Sequence, residues 1–466
     1  VTFLGIDLGT GSVKAAVVDD GVVVAKTSRT YAVHAPHPGW AESDPAEWLA
    51  AAQEVAGRAV DGHAVQAVGF SGQMHGVVLV DERLQPLRPA ILWADTRSVD
   101  EAAAMARDLS PADLSRLGSP AVAGFAATTL AWLRVHEPEI LARAAYALQP
   151  KDWLRAALGG DVATEPSDAS GTLLFDVAVG TWSSTAGDWA GIAAHLLAPV
   201  RGSAQPAGTV RLGDTELPCA VGGADTACAL AGLGLRPGDG FIAVGSGAQT
   251  VRMSAAPDLD PSLRTHTFAA VGEPASQWYR IGAVQSAGLT LTAALAWLGA
   301  TVEEAAAALT SGVRPSDPIF VPYLSGERTP FMDPTMRGSW HRLSLATTRE
   351  ALLRSVLEGV AQAVALGVEA VQAAGDPLPE VVPLIGGGTH DPAFRQLLAD
   401  ATGVTLAVTD APDSAVVGAA LLGAGRVTND RPAAHSAVVT PDLTAQVVLA
   451  ERRATMVALA TTREGA

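Results

Sequence analysis

The chain has 466 residues, 48% of them apolar and 17% charged, with a formal net charge of −17. This composition excludes a disordered chain, and the acidic balance argues against broad binding to nucleic acid or to an anionic membrane. The length favours two or three domains over a single core.

The first informative stretch is "FLGIDLGTGSVKAAVV", residues 3–18. A Walker A loop fails here because Lys14 does not directly follow a glycine, and a dinucleotide loop fails because Lys14 occupies the third glycine position. The valine-rich "SVKAAVV" that follows reads as a strand, so the turn joins two antiparallel strands. Such a turn still suits an anion. Gly9 and Gly11 let successive N–H groups point to one side, Thr10 and Ser12 add hydroxyls, and Lys14 adds a charge. Asp7 ends the first strand. A carboxylate beside a phosphate loop needs a cation between them, for which Mg²⁺ is the natural choice. A plain tight hairpin with a surface Asp7 is the competing reading.

Residues 45–60 read as a helix opened by "SDPAEW". Residues 63–81 give a strand, the polar turn "SGQMHG" and another strand. Met74 and His75 in that turn suit one face of a sugar, or His75 is structural. In "WADTR", Asp95 and Arg97 either bind polyol hydroxyls or pair with each other. Residues 98–110 and 127–146 look helical, and a small helical segment follows around Trp182 and Trp189. The Pro/Gly-rich stretch 199–218 reads as a connection. It sets a boundary near residue 220, dividing the chain into domains 1–220 and 221–466.

The second half opens with "CAVGGADTACALAGLGL". Cys219 and Cys228 show no metal-ligand spacing and read as small buried residues in a reducing compartment. Asp225 lies between glycines and a small-residue helix, either as an N-cap or as a base open to substrate. Residues 241–253, "FIAVGSGAQTVRM", repeat the first hairpin. Gly245, Ser246 and Gly247 align with Gly9, Thr10 and Gly11, while Ala243 replaces Asp7. Two such turns, one with a carboxylate, suit a single nucleotide with one metal in a shared cleft. The uncharged stretch Ile281–Val302 is too polar for a membrane span, which takes about 20 mostly apolar residues, and reads as a buried helix. Residues 349–375 form an amphipathic helix with Leu352, Val356, Val360, Val364 and Val368 at i+4 steps. Next comes a buried strand, then Gly386, Gly387 and Gly388, whose bare backbone lets a flat ligand or phosphate approach. A helix capped by Thr389 or Asp391 follows and stops at Gly403. Residues 441–463 look partly helical and are expected to pack back across the molecule. There is no zinc motif and no nucleophile elbow. No secretory leader pattern is present, so the expected location is cytoplasmic.

With these pieces in place, the chain resembles the FGGY family of carbohydrate kinases over nearly its whole length. The motifs, in order, include "GIDLGTGSVKA", "SGQMHG", "ILWADTR", "PKDWLRAALGG", "EPSDASGTLLFDV", "GGADTA", "GSGAQT", "YLSGERTPFMDPTMRG" and "GGGTHDPAFRQLLADATG". "QMHG" and "SDASGTLLFDV" favour the branch that acts on xylulose. The resemblance implies an α/β protein of two ribonuclease-H-like domains, as in actin and hexokinase, with the active site between them. It implies ATP and Mg²⁺ as cofactors, and D-xylulose as the sugar partner. Asp225 would be the general base and Asp7 the metal-side carboxylate. Met74, His75 and Thr226 would lie at the sugar. The turns Gly9–Ser12 and Gly245–Gly247 would hold phosphates, and Gly386–Gly388 would flank the adenosine.

Three departures bear on the sugar. Ala224 precedes the base where the family has glycine, Thr226 follows it where asparagine is usual, and Ala94 stands where asparagine is common. Another pentulose, a polyol or a sugar acid stays open as substrate. From a different class, so does a non-catalytic nucleotide switch or sugar sensor. A homodimer is left open by the sequence.

Overall fold

The computed structural model describes residues 1–431 and 434–462, leaving aside the Thr389 side chain. The first glycine turn joins β1 (Thr2–Leu8) to β2 (Ser12–Asp19), and a second turn leads into β3 (Val22–Thr30). Leu4, Ile6 and Leu8 are buried in one core with Trp48, Ala52 and Val55 of α1 (Pro45–Val60). Asp44 caps α1 by accepting from Ala46 N, with Pro45 preset for the first turn. β4 (Val65–Gly72) then runs parallel to β1.

The helices that follow include α2 (Val99–Asp108), α3 (Ala126–His136), α4 (Pro150–Ala157) and α5 (Pro166–Ser170). The helix expected over 127–146 is shorter. Pro138 starts a separate turn of helix, and Tyr146–Leu148 is already a strand. The segment 199–218 is also more than a connection. It forms a hairpin of β5 (Pro206–Leu212) and β6 (Thr215–Ala220), turning through Gly213 at φ 61. Its Pro206 is tolerated because it opens an edge strand. β6 and the short β7 (Gly223–Ala224) both pair with β4, and α6 (Asp225–Gly232) follows at once.

The second sheet comprises β8 (Gly240–Val244), β9 (Ala248–Ser254), β10 (His266–Ala269), β11 (Trp278–Val284), β12 (Val381–Ile385), β13 (Thr405–Thr409) and β14 (His435–Val439). The antiparallel run β11-β9-β8 repeats β3-β2-β1, and β8 lies parallel to β12 as β1 does to β4. This doubled mixed sheet is the pair of ribonuclease-H-like domains expected from the sequence.

The helices of this half include α7 (Gly288–Trp297), α8 (Arg349–Ala373), α9 (Pro392–Thr402), α10 (Ser414–Gly423) and α11 (Leu443–Thr461). The uncharged stretch is not a buried helix. In α7, Leu289 and Trp297 are 65% and 62% exposed. α8 is not simply amphipathic, because buried residues occupy nearly every side of it. It is long and apolar enough to cross a membrane, yet it is packed inside the second core. Asp391 caps α9, and Gly403 ends it in the left-handed region at φ 71. The Thr389 side chain, the other candidate cap, lies outside the described residues.

The terminal helix does not cross the molecule. α11 packs on α8 and α9 within the second half, and the element that crosses is α10, which lies against β1 and β4 of the first sheet and against α6. Glycines make that crossing close. A Cβ on Gly418 would lie 1.9 Å from Cys228 O, and one on Gly69 would lie 1.9 Å from Ala419 O. Cys219 and Cys228 are buried and free.

Candidate active site

Three neighbouring strand ends form the floor of the site. β1, β4 and β7 lie side by side and place Asp7, Ser71 and Gly223 in one row. Ends of parallel strands are where α/β sheets bind ligands. Ser71 Oγ donates to Asp7 Oδ1 at 2.8 Å. Two residues beyond Gly223 the chain enters α6, so Asp225 is that helix's first residue. Both carboxylates are half-buried. Burial pushes Asp225 up to about 6, and the charge of Asp7 adds to the effect. Burial likewise raises Asp7, opposed by the Ser71 hydrogen bond and by Lys14, which lies directly across the β1–β2 pair. Thr226 donates to Asp225 Oδ1 from its backbone N–H at 2.6 Å and from its hydroxyl at 3.2 Å. Its hydroxyl therefore engages the carboxylate beside it.

A buried network holds the approach to Asp225. Ala224 N donates to Ser167 Oγ at 2.9 Å, and Ser167 Oγ donates to Glu165 Oε1 at 2.6 Å. Glu165 also caps α5 and accepts from Ser203. Beneath it Lys151, 0% exposed, pairs with Asp152 at 2.8 Å and Asp168 at 2.9 Å. Sequence reading found both parent motifs, "PKDWLRAALGG" and "EPSDASGTLLFDV", but gave these residues no role. Their partners come from separate elements.

Met74 and His75 stand on the turn after β4. His75 is held at φ 73, a strained conformation for a side chain with a Cβ. Its ring stacks on Phe125 with centroids 3.8 Å apart, and Nδ1 lies 2.6 Å from Gly171 O. Burial lowers its pKa to about 4, so the ring is neutral at physiological pH. A neutral imidazole bonded to a carbonyl through Nδ1–H leaves Nε2 as an acceptor, suited to a hydroxyl. Met74 Sδ accepts from Tyr279 OH at 3.7 Å, and Tyr279 belongs to β11 of the second sheet.

The first glycine turn is closed by Gly9 N donating to Ser12 O at 2.9 Å and by Tyr31 OH, which donates to the carbonyls of Gly9 and Ser12. Thr10 Oγ1 accepts from Trp93 Nε1 at 2.9 Å. A Cβ on Gly11 would meet nothing within 4 Å, so this turn borders open space. In the second turn Gly245 N donates to Gly247 O at 2.8 Å, and Ser246 O accepts from Leu289 N at 2.9 Å. Gly386, at φ 102, runs so close to Val244 that a Cβ there would lie 2.4 Å from its carbonyl oxygen. Gly388 touches Val244 too, which brings Gly386–Gly388 beside Gly245–Gly247. Trp93 links the two halves, because the Arg328 guanidinium carbon sits 5.6 Å over its ring.

Asp95 and Arg97 are a correction to the sugar-side expectation. Asp95 is 1% exposed. Its Oδ1 accepts from Arg97 N and Nε, both at 2.9 Å, and its Oδ2 accepts from Ala41 N at 2.6 Å. Arg97 also bonds Glu42 at 2.6 Å and lies 3.5 Å over Trp40. The pair is committed to internal partners and braces the loop that carries Trp93.

Among the described residues no three His, Cys, Asp or Glu side chains cluster as an all-protein metal cage. Mg²⁺ does not need one. It usually keeps waters and takes one or two carboxylates plus substrate phosphates. Two desolvated, mutually repelling carboxylates at Asp7 and Asp225 fit that mode of binding.

The sequence model of the N-terminal domain of the FGGY family of carbohydrate kinases matches residues 2–232, and that of its C-terminal domain matches residues 240–426. The chain is 34% identical over 417 residues to a xylulose kinase of Escherichia coli (strain K12), covering 87% of this chain and 85% of that one. It is 34% identical over 441 residues to a xylulose kinase of Klebsiella pneumoniae, covering 92% and 89%. The crystal structure of a xylulose kinase from Brucella ovis superposes with a TM-score of 0.91 at 32% identity, covering 98% of each chain.

Proposed function

The chain belongs to the FGGY family of carbohydrate kinases, and on that premise we propose that it transfers the γ-phosphoryl group of ATP to the terminal hydroxyl of D-xylulose, giving D-xylulose 5-phosphate. The observation that carries this reading is the convergence of two half-buried carboxylates at neighbouring strand ends, Asp7 beside a glycine turn and Asp225 pushed up to about 6 by burial and by the charge of Asp7. Similarity to xylulose kinases supports the choice of sugar.

In this reading Asp225 accepts the proton of the sugar hydroxyl as that oxygen bonds to the γ-phosphorus and the bond to the bridging oxygen of ADP breaks. A base with a pKa near the working pH suits that task. The N–H groups of Thr10 and Gly11 in the first turn and of Ser246 and Gly247 in the second orient the phosphates, while Gly9 N and Gly245 N close the turns themselves, and Gly386–Gly388 leave room for the adenosine. Asp7 would hold Mg²⁺, directly or through water, and the ion would neutralise charge on the phosphates. Neutral His75 accepts a hydrogen bond from a sugar hydroxyl, and Met74 packs against the carbon chain. Thr226 orients the base.

The test is ADP release with ATP and Mg²⁺ across D-xylulose, L-xylulose, D-ribulose, L-ribulose, glycerol, gluconate and a no-sugar control. Strong release with D-xylulose supports the reading. A different best sugar keeps the kinase and changes its substrate, and release that no sugar stimulates removes the reading.

A further inference from the structure

Gln73 stands between Ser71, which bonds Asp7, and the pair Met74 and His75. Its backbone carries the pairing of β1 with β4 one step further. In register, Asp7 faces Ser71 and Leu8 faces Gly72, and Gln73 N then donates to Leu8 O at 2.9 Å. Residues two apart in an extended chain share a face, so Gln73 follows Ser71 on the side that holds Asp7. The side chain reaches the first glycine turn, where Nε2 donates to Gly9 O at 3.4 Å. Met74 and His75 turn elsewhere, toward Tyr279 and Gly171.

The contact with Gly9 fixes which end of the amide is which. Gly9 O can only accept, so the nitrogen faces it and Oε1 faces away. Gln73 is 1% exposed, and among the described residues its Oε1 has no hydrogen-bond partner. A buried carbonyl oxygen left unbonded is costly, and a ligand that donates relieves the cost. Oε1 only accepts, which narrows the ligand. Ionised phosphate oxygens are acceptors too and cannot bond it. A water on a cation can, and Mg²⁺ usually keeps several of its waters when it binds one or two carboxylates and phosphates.

We propose that Gln73 is a positioning residue for the metal. Its Oε1 accepts a hydrogen bond from a water in the hydration shell of the Mg²⁺ that Asp7 would hold, while its Nε2 ties that shell to the backbone of the phosphate turn. The inference rests on the Mg²⁺–ATP reading above.

The test uses the full-length enzyme and reads binding. ADP affinity is measured by calorimetry with Mg²⁺ and with EDTA, and Mn²⁺ affinity of the enzyme–ADP complex by electron paramagnetic resonance. Wild type is compared with Gln73→Met, which removes the oxygen, and Gln73→Asn, which withdraws it by one methylene. Gln73→Met is expected to weaken Mn²⁺ binding roughly ten- to hundredfold, the scale of a lost outer partner of a metal site, with ADP affinity in EDTA and sugar KM each within about twofold. Gln73→Asn shows a smaller loss in the same direction. Unchanged Mn²⁺ affinity in Gln73→Met, or an equal loss of ADP affinity with and without metal, overturns the assignment and leaves the kinase reading standing. A raised sugar KM with unchanged Mn²⁺ affinity also overturns it and moves the oxygen to a sugar hydroxyl. Where Gln73→Met does not fold, wild-type Mn²⁺ affinity in Gln73→Asn overturns it. A wild-type enzyme whose ADP binding ignores Mg²⁺ overturns both this inference and the metal role of Asp7.

Discussion

Asp225 and Asp7 stand on different elements, the first residue of α6 and the end of β1, yet the charge of Asp7 raises the pKa of Asp225. The link between them is a single row of backbone, in which Asp7 faces Ser71 and Ser71 faces Gly223. The chemistry of the site depends on this row.

The first consequence is a pH profile. A base must be ionised to accept a proton, and burial together with Asp7 holds Asp225 at about 6. Activity is therefore present above about pH 6 and falls about tenfold per unit below it. Mg²⁺ near Asp7 would relieve the repulsion, so raising Mg²⁺ should move this acid limb to lower pH. A limb near pH 4 that ignores Mg²⁺ would contradict the assignment.

Asp7→Ala should lose most of the turnover and require more Mg²⁺ for half-maximal rate. The measurement is a Mg²⁺ titration of ADP release at saturating ATP and sugar. A variant with the wild-type Mg²⁺ midpoint would remove Asp7 from the metal side.

Lys151 is fully buried between Asp152 and Asp168. Lys151→Met leaves buried Asp168 without its countercharge, while Asp152 keeps Arg155 at 2.9 Å, at a cost of about 3–5 kcal/mol. Thermal unfolding should start well below the wild-type temperature. Turnover of the folded fraction should drop as well, because Glu165 in the same cluster supports Ser167 and Ala224 N. Wild-type unfolding would show that the cluster contributes little.

Gly418→Ala forces a Cβ to within 1.9 Å of Cys228 O, where α10 crosses α6. The cost is about 1–3 kcal/mol in overpacking, read as a lower unfolding midpoint. Gly187→Ala is the control, since a Cβ there meets nothing within 4 Å. Equal midpoints for the two variants would contradict the close crossing.

Much of this fold is written locally. The Gly-hydroxyl-Gly turns at residues 9–11 and 245–247 each sit between two strands, so the doubled sheet is legible from residues adjacent in sequence. Asp225 announces itself by glycines before it and a small-residue helix after it. Other features depend on distant partners. Asp95 and Arg97 invite a sugar-binding reading until Glu42, Ala41 and Trp40 enclose them. Arg328 belongs to the recognisable "SGERTP" motif, but its contact with Trp93, more than 200 residues earlier, is set by the fold. Pro206 and Gly213 disguise a hairpin as a linker, because an edge strand and a positive-φ turn accept those residues. α7 lacks charge and so reads as buried, although Leu289 and Trp297 face outward.

The central claim is that Asp225 removes the proton from the sugar hydroxyl. Its most direct test is Asp225→Asn, measured for ADP release with the preferred sugar and, separately, for ATP affinity. The account predicts a rate loss of roughly 10²–10⁴-fold with ATP binding near that of wild type. A variant that turns over within twofold of wild type would contradict it.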